Sequence, residues 1–261
     1  MYFNSSQGNI YYQEYGANNS PAIVFLHGVG MDHRTFIEQA KALESRYRII
    51  ILDLPGHGKS SGIDKNLAFS TTSANMIIEL LDYLDIDRIV MIGQSLGSFV
   101  VQKAAARYPE RILASIHLSG GSLYPGYPAI IKAFKPLVSL IMLLFPQKIL
   151  YKQFARHKAF KAETQEYLEE ITAANGKKII TDLTLEMIND MTEGISKPLS
   201  HDLLIVYGEH DLNFIKKLSI KWHKSNANSE LVEIKDAHHI VNQDNPEKFN
   251  EVIESFLGKI A

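Results

Sequence analysis

The sequence of 261 residues contains no cysteine. A disulfide framework, a thiolate zinc site and a cysteine nucleophile are therefore all excluded. An excess of charge of one sign is also lacking, because 27 lysine and arginine residues are scattered among 29 aspartate and glutamate residues and the net charge is −2. Without a basic stripe or cluster, the sequence predicts no nucleic-acid partner.

Two kinds of hydrophobic segment are missing. The start of the chain, from Met1 to Ser5, has no basic stretch followed by an apolar run, so we expect no signal peptide and a cytoplasmic location. The most apolar stretch, from Leu137 to Phe145, lies between Pro136 and Pro146 and is far shorter than the roughly 20 residues of a membrane span. It predicts a buried or substrate-facing helix, with contact to a membrane surface as the second interpretation and no stable membrane insertion.

The sequence does contain short, continuous apolar runs that alternate with segments of helical periodicity. Such runs suit strands buried on both faces, and helices between them imply parallel pairing. This predicts an α/β fold with a doubly wound, mostly parallel sheet. The predicted strands are Asn9 to Tyr15, Ala22 to Leu26, Tyr47 to Leu52, Arg88 to Ile92, Ile112 to Leu118, Leu203 to Tyr207 and Glu230 to Ile234. The predicted helices that accompany them are Arg34 to Ala42, Ser70 to Leu84, Ser95 to Arg107, Leu212 to Ser225 and Pro246 to Leu257.

The alternation stops between about Gly121 and Ser200. This segment has no convincing strand, and its clearest helical stretches are Ala162 to Ala174 and Asp182 to Glu193. We therefore expect residues 1–120 and 201–261 to form one core, with residues 121–200 as a helical insertion.

One serine stands where a catalytic nucleophile would. Ser95 lies between Gly93 and Gly97 in the pattern Gly-x-Ser-x-Gly, after a predicted strand and at the start of a predicted helix. A serine in such a turn projects its hydroxyl above the sheet, and the glycines let strand and helix approach closely. The N–H of the next residue, Leu96, is then a candidate oxyanion donor. The alternative role for Ser95 is a simple helix N-cap.

A serine hydroxyl needs a base, and the base needs an orienting carboxylate. Both residue types follow the last two predicted strands, at the same edge of the sheet as Ser95. The first loop holds Glu209 and Asp211, and the second holds His238 and His239. The sequence thus offers two candidates for the acid and two for the base.

At these motifs the chain resembles the α/β-hydrolase superfamily across nearly its whole length, and in particular serine esterases with a helical cap. The family's histidine precedes an acidic residue and Asn/Gln-Pro-Glu, which here is Asp244-Asn245-Pro246-Glu247. That spacing favours His239 over His238. The family's Gly-x-x-Asp pattern favours Asp211 over Glu209.

The resemblance also implies a second oxyanion donor and a cap. The family's His-Gly-x turn is His27-Gly28-Val29, which assigns the donor to the N–H of Val29 and a structural role to His27. Residues 121–200 correspond to the cap that often covers the active site. Its apolar run, together with Tyr124, Tyr127 and Phe134, suggests an apolar lining for the pocket, and the alternative is that these residues only pack the cap against the core.

The sequence predicts no cofactor and no metal ion. The tripeptide Gly58-Lys59-Ser60 looks like the end of a phosphate-binding loop, but that motif needs glycine at position 53, where this chain has Asp53. No two histidines show helical i, i+4 spacing with a third ligand. His117, inside a predicted strand, is interpreted as a core histidine.

These observations predict a serine hydrolase that cleaves a carboxylic ester, thioester or lactone with an apolar part. The catalytic residues would be Ser95, Asp211 and His239. Other members of the superfamily use the same triad as C–C bond hydrolases or lyases, and a non-catalytic ligand-binding protein on the same fold is the alternative from a different functional class.

Overall fold

The computed structural model describes residues 1–17, 19 and 21–260. Its strands are β1 (Tyr2–Ser5), β2 (Gly8–Tyr15), β3 (Ala22–Leu26), β4 (Arg48–Leu52), β5 (Ile89–Gln94), β6 (Ile112–Leu118), β7 (Asp202–Gly208) and β8 (Ser229–Ile234). They form one sheet in the order β1–β2–β4–β3–β5–β6–β7–β8. Only β2 runs antiparallel to its neighbours, and the remaining pairs are parallel. The predicted mostly parallel α/β sheet is confirmed, and β1 is the strand that the sequence analysis missed.

Helices cover both faces of this sheet. They are α1 (Ile37–Leu43), α2 (Phe69–Tyr83) and α3 (Leu96–Arg107) in the first half of the chain. Successive residues of β3 alternate between two core clusters, since Val24 packs with residues of α2 and α3 and Phe25 packs with residues of α1 and of the last helix. A strand enclosed on both faces needs apolar residues throughout, which explains the continuous runs in the sequence.

The elements described between β6 and β7 are all helical. A 3-10 helix (Ala129–Phe134) precedes α4 (Lys135–Leu144), α5 (Gln147–Lys158) and α6 (Ala162–Glu193). Gly176, with φ 83° and ψ 153°, breaks α6 into two arms. These arms contain the two helical stretches that the sequence predicts. After β7 the chain forms α7 (Asn213–Ser225), α8 (Val241–Asp244) and α9 (Pro246–Leu257).

The apolar run from Leu137 to Phe145 forms a helix as predicted, but the prediction that this helix is buried or faces the substrate is wrong. The run does form α4, but α4 contains no buried residue, and Leu143 and Leu144 are 74% and 70% exposed. Within the cap, α4 contacts the 3-10 helix and α6. Hydrophobicity alone does not bury a segment, because a partner surface must also be free to receive it.

In the part of the chain that the structure describes, no single helix is long and apolar enough to cross a membrane. The segments Ala129–Leu144 and Gln147–Lys158 satisfy the length and composition criteria only as a pair, and they are bent by 116° relative to each other.

Candidate active site

The turn between β5 and α3 presents Ser95. Its backbone has φ 52° and ψ −110°, a left-handed conformation that costs energy for any residue with a Cβ atom. The N–H of Ser95 donates to the carbonyl of Leu118, the last residue of β6, at 2.9 Å. A Cβ atom on Gly93 would lie 2.4 Å from the carbonyl oxygen of Gly97, and one on Gly97 would lie 2.1 Å from that of Leu26. The sharp turn therefore depends on glycine at both positions.

The two final strands bring the candidate acid and base together. Asp211 follows β7 and His239 follows β8, and these strands are parallel neighbours. The Nδ1 atom of His239 lies 3.0 Å from Oδ1 of Asp211, and both residues are buried. Glu209 instead pairs with Lys235 at 2.8 Å. The structure thus joins the pair that the family pattern favours.

His238 has different surroundings. Its backbone N–H donates to the Oδ2 atom of Asp244 at 2.9 Å, and its ring packs near the rings of Phe160 and His210. No hydrogen bond joins His238 to Asp211 among the described residues. Adjacent residues in a loop point different ways, and only one of the two histidines meets the carboxylate.

Ser95 and His239 line one cavity of about 370 Å³. Because Nδ1 of His239 faces a carboxylate, the proton of the neutral ring belongs on Nδ1 and the lone pair on Nε2. The Nε2 atom has no hydrogen-bond partner among the described residues. A lone pair without a partner, on the same cavity as a serine hydroxyl, leaves His239 available as a general base.

The charges of this pair follow from burial and mutual attraction. Burial lowers the pKa of His239 and the positive charge of Lys158 lowers it further, while Asp211 acts in the opposite direction. Burial raises the pKa of Asp211, but its electrostatic attraction to His239 and the hydrogen bonds from His239 and from the N–H of Leu212 prevail, so its pKa lies below the usual value. At neutral pH the histidine is therefore uncharged and the aspartate ionised.

Two backbone N–H groups near Ser95 are free to donate. Leu96 is the first residue of α3, and Val29 lies in the turn after β3 and lines the cavity. Neither N–H donates to another group in the part of the chain that is described. Free donors on either side of a nucleophile can stabilise an oxyanion.

Two buried histidines hold the turn that contains Val29. The Nε2 atom of His27 accepts from the N–H of Leu54 at 2.9 Å, and the Nε2 atom of His57 accepts from the N–H of Gly30 at 3.1 Å. The rings lie 4.9 Å apart. Burial lowers the pKa of both, and that of His57 falls to about 3. The structural role predicted for His27 is confirmed, and His57 shares it.

Other residues that the sequence singled out serve the scaffold. His117 contacts the hydroxyls of Ser98 and Ser115, each at 2.8 Å, as expected of a core histidine. Asp53 stands where a phosphate loop would need glycine. Its carboxylate accepts from the N–H of Lys59 at 2.8 Å and contacts the ring of His33 at 2.7 Å. The polar atoms of these side chains form hydrogen bonds within the protein and so hold its loops together.

The apolar lining comes mostly from residues other than the predicted ones. Tyr127 lines the cavity, whereas Tyr124, Phe134 and the run from Leu137 to Phe145 do not. The cap contributes mainly from the second arm of α6, and α7 completes the wall. The lining residues from these two helices are Thr184, Met187, Ile188, Met191, Phe214, Ile215 and Leu218. The sequence showed that the cap is apolar but not which helix faces Ser95.

Lys158 is a site residue that the sequence analysis missed. It ends α5 and lines the same cavity as Ser95 and His239. Its carbonyl accepts from the N–H of Ile240 at 3.0 Å, which ties it to the residue after His239. Its Nζ atom forms no ion pair within the described residues, and burial lowers its pKa to about 8. Nothing in the sequence separates Lys158 from the other basic residues of the cap.

Asp244 fastens the cap to the loop of the base. Its carboxylate accepts from the N–H groups of Phe160, Lys161 and His238 at 2.9, 3.0 and 2.9 Å. The N-cap of α9 is its neighbour Asn245. One buried carboxylate therefore fixes the end of α5 relative to the histidine loop.

Comparisons with known proteins agree with this geometry. The family described as "alpha/beta hydrolase fold" matches residues 21–246. The uncharacterized hydrolase YugF of Bacillus subtilis is 26% identical, over 95% of this chain and 94% of that protein. The 3-oxoadipate enol-lactonase 1 of Acinetobacter baylyi is 25% identical, over 94% and 91%. A solved thermophilic esterase from Thermogutta terrifontis superimposes with a TM-score of 0.84 at 18% identity, over 100% and 98%, and shares the fold.

The buried, neutral His57 makes folding sensitive to acid. Its pKa falls from 6.5 to about 3 on folding, so the unfolded chain binds the extra proton between these values. Stability from this group is complete above pH 6.5 and is lost as the pH falls below it, by about 2 kcal/mol between pH 7 and pH 5. We expect His57→Gln to lose correspondingly less stability over this interval, measured as the free energy of unfolding in urea.

His157→Gln is the matched control, because that ring is exposed on α5. It should show the wild-type pH dependence. An equal loss of stability in wild type and His57→Gln would contradict the interpretation.

Proposed function

The chain belongs to the alpha/beta hydrolase fold family and is a hydrolase, and on this premise we propose that it cleaves a carboxylic ester, thioester or lactone through an acyl-enzyme on Ser95. The observation that carries the proposal is the cavity that Ser95 and His239 both line, because Nδ1 of this histidine contacts a buried carboxylate and leaves Nε2 without a partner among the described residues. The esterase and the enol-lactonase among the similar proteins fit this reaction class.

In the first half-reaction, Nε2 of His239 takes the proton from the hydroxyl of Ser95 as the oxygen attacks the acyl carbon. The N–H groups of Leu96 and Val29 donate to the carbonyl oxygen as it becomes an oxyanion. Asp211 keeps the ring in the required tautomer and stabilises the imidazolium. When the intermediate collapses, His239 returns the proton to the leaving oxygen or sulfur, and the acyl group stays on Ser95.

In the second half-reaction, water takes the place of the leaving group. His239 removes a proton from the water, the hydroxide attacks the acyl carbon, and the proton passes to Ser95 as the acid departs. The lowered pKa of His239 favours this cycle, because the neutral ring that acts as a base persists below the pH at which an ordinary histidine is protonated.

The cavity suggests the kind of substrate. Its walls from α6 and α7 are mostly apolar, which suits a substrate with an apolar part. Lys158 adds one cation beside the Asp211–His239 pair, and an ammonium group without a partner can bind an anionic group of a ligand. We therefore propose a small-molecule substrate that combines an apolar part with a negative charge near the scissile bond.

The two neighbouring histidines provide a direct test of the triad. We expect Ser95→Ala and His239→Gln each to lower kcat/KM for a short nitrophenyl ester by about 10³-fold or more, because each removes a group that acts in the transition state. His238→Gln should retain activity within a few fold. A fluorophosphonate probe should label wild type at residue 95, as located by mass spectrometry.

Ser98→Ala is the control for labelling, since Ser98 lies three residues further along α3 and contacts His117 instead of the cavity. It should still be labelled. Folded wild type that gains no adduct at Ser95, or His238→Gln as damaging as His239→Gln, would refute the assignment. The first result would favour a non-catalytic binding protein.

A second test concerns Lys158. We expect Lys158→Met to lower kcat/KM about tenfold for a nitrophenyl hemiester of a dicarboxylic acid, relative to a neutral nitrophenyl ester of the same length. Because the pKa of Lys158 is about 8, the wild-type preference for the anionic ester should weaken as the pH rises through that value. The comparison is a steady-state pH profile on both esters.

Lys152→Met, an exposed lysine on the same helix, is the matched control and should keep the preference. An unchanged ratio between the two esters in Lys158→Met would show that Lys158 only balances the charge of Asp211.

A further inference from the structure

The outer face of α4 is an unusual surface. We define the apolar cap face as Leu137, Leu140, Ile141, Leu143, Leu144 and Phe145, each of which is at least 40% exposed. Ile130 and Ile149 extend it at 70% and 49% exposure. Exposed apolar side chains are ordinary when scattered, but a contiguous group of this size on one short segment marks a surface that is covered in use.

The apolar cap face is held rigidly outward. On the inner side of α4, Met142 packs against the main core cluster. The Nζ atom of Lys177 on α6 donates to the carbonyls of Leu143 and Phe145 at 3.0 and 2.7 Å. The C-terminal end of α4 is thus fixed with its apolar side chains in solvent. No described residue of the chain covers the face, so it is available to an external partner.

The positive charge near the apolar cap face indicates which kind of partner can cover it. Residues 112–162 contain no aspartate or glutamate, whereas Lys132, Lys148 and Lys152 flank α4 in sequence and Lys135 is its first residue. None of these four lysines forms an ion pair with a described residue. An apolar helical face with a lysine rim matches a lipid surface, where acyl chains receive the apolar side chains and anionic headgroups meet the cations.

A second copy of the chain fits this surface less well. A twofold contact through the apolar cap face would place the same patch against itself. The unpaired lysines would then meet other lysines, with no acidic residue in the segment to compensate them. Like charges close together oppose association.

We propose that the apolar cap face docks this protein on the surface of an anionic lipid membrane. The ten residues of α4 extend about 15 Å, half the thickness of the hydrocarbon core, so the helix lies in the interface plane and does not cross it. Lys132, Lys148 and Lys152 are exposed, and in the docked state they would meet the anionic headgroups. This docking is peripheral, and it does not depend on the proposed reaction at Ser95.

Vesicle sedimentation tests the proposal. The full chain is mixed with vesicles of phosphatidylcholine alone or with about one third phosphatidylglycerol. We expect binding to the anionic vesicles that is at least tenfold tighter than to the neutral ones and that weakens as salt is raised. The double variant Leu143→Ser with Leu144→Ser should lose at least tenfold in affinity, and Lys148→Gln with Lys152→Gln should reduce the preference for anionic lipid.

The matched control is Tyr2→Ser with Tyr83→Ser, which removes two exposed apolar side chains on β1 and α2, outside the cap. It should bind as wild type does. Absence of vesicle binding by folded wild type, equal binding to both vesicle types, or full binding by the Leu143/Leu144 variant would each overturn the proposal. Analytical ultracentrifugation without lipid completes the test. If wild type is a dimer that does not bind vesicles, and the double variant Leu143→Ser with Leu144→Ser is a monomer, then the face is an interface with a second copy.

Discussion

The close approach of α3 to the end of β3 is the constraint on which the rest of the site depends. A hydrogen atom, and nothing larger, fits between Gly97 and the carbonyl of Leu26. This contact brings the N-terminus of α3 against the turn that contains Val29 and forces Ser95 into its left-handed conformation. The candidate nucleophile and both candidate oxyanion donors therefore share one junction of strand, turn and helix.

The remaining parts of the site are fastened to that junction by buried polar groups. His27 and His57 join the turn after β3 to the turn after β4, and both are neutral because burial penalises their charged forms. Asp244 joins the end of α5 to the loop of His239 through three backbone N–H groups. Each of these groups is satisfied inside the protein, as a buried polar group must be to avoid a net cost. The cap and core are thus connected at the base of the cavity.

Two helices of the cap present their apolar residues to different surroundings. The second arm of α6 gives the cavity its apolar wall, while α4 turns its apolar residues away from Ser95. Lys158 adds a positive charge to the cavity that His239 also lines, and the lysines near α4 add positive charge on the outer surface. Under the two proposals, the outer face of α4 would place the protein at a lipid surface, and the inner wall of the cavity would select what Ser95 accepts.

The sequence by itself determined the sheet and the candidate nucleophile, while the family resemblance favoured Asp211 and His239 as its partners. Strands buried on both faces must be apolar throughout, and the elbow around Ser95 requires glycine at fixed positions, so both leave local patterns. Only the tertiary structure decided which histidine meets Asp211, that Lys158 enters the cavity, and that α4 faces outward. These outcomes depend on which surface each segment packs against. Residues distant in the chain compete for that surface, and a local pattern of hydrophobic and polar residues does not record the result.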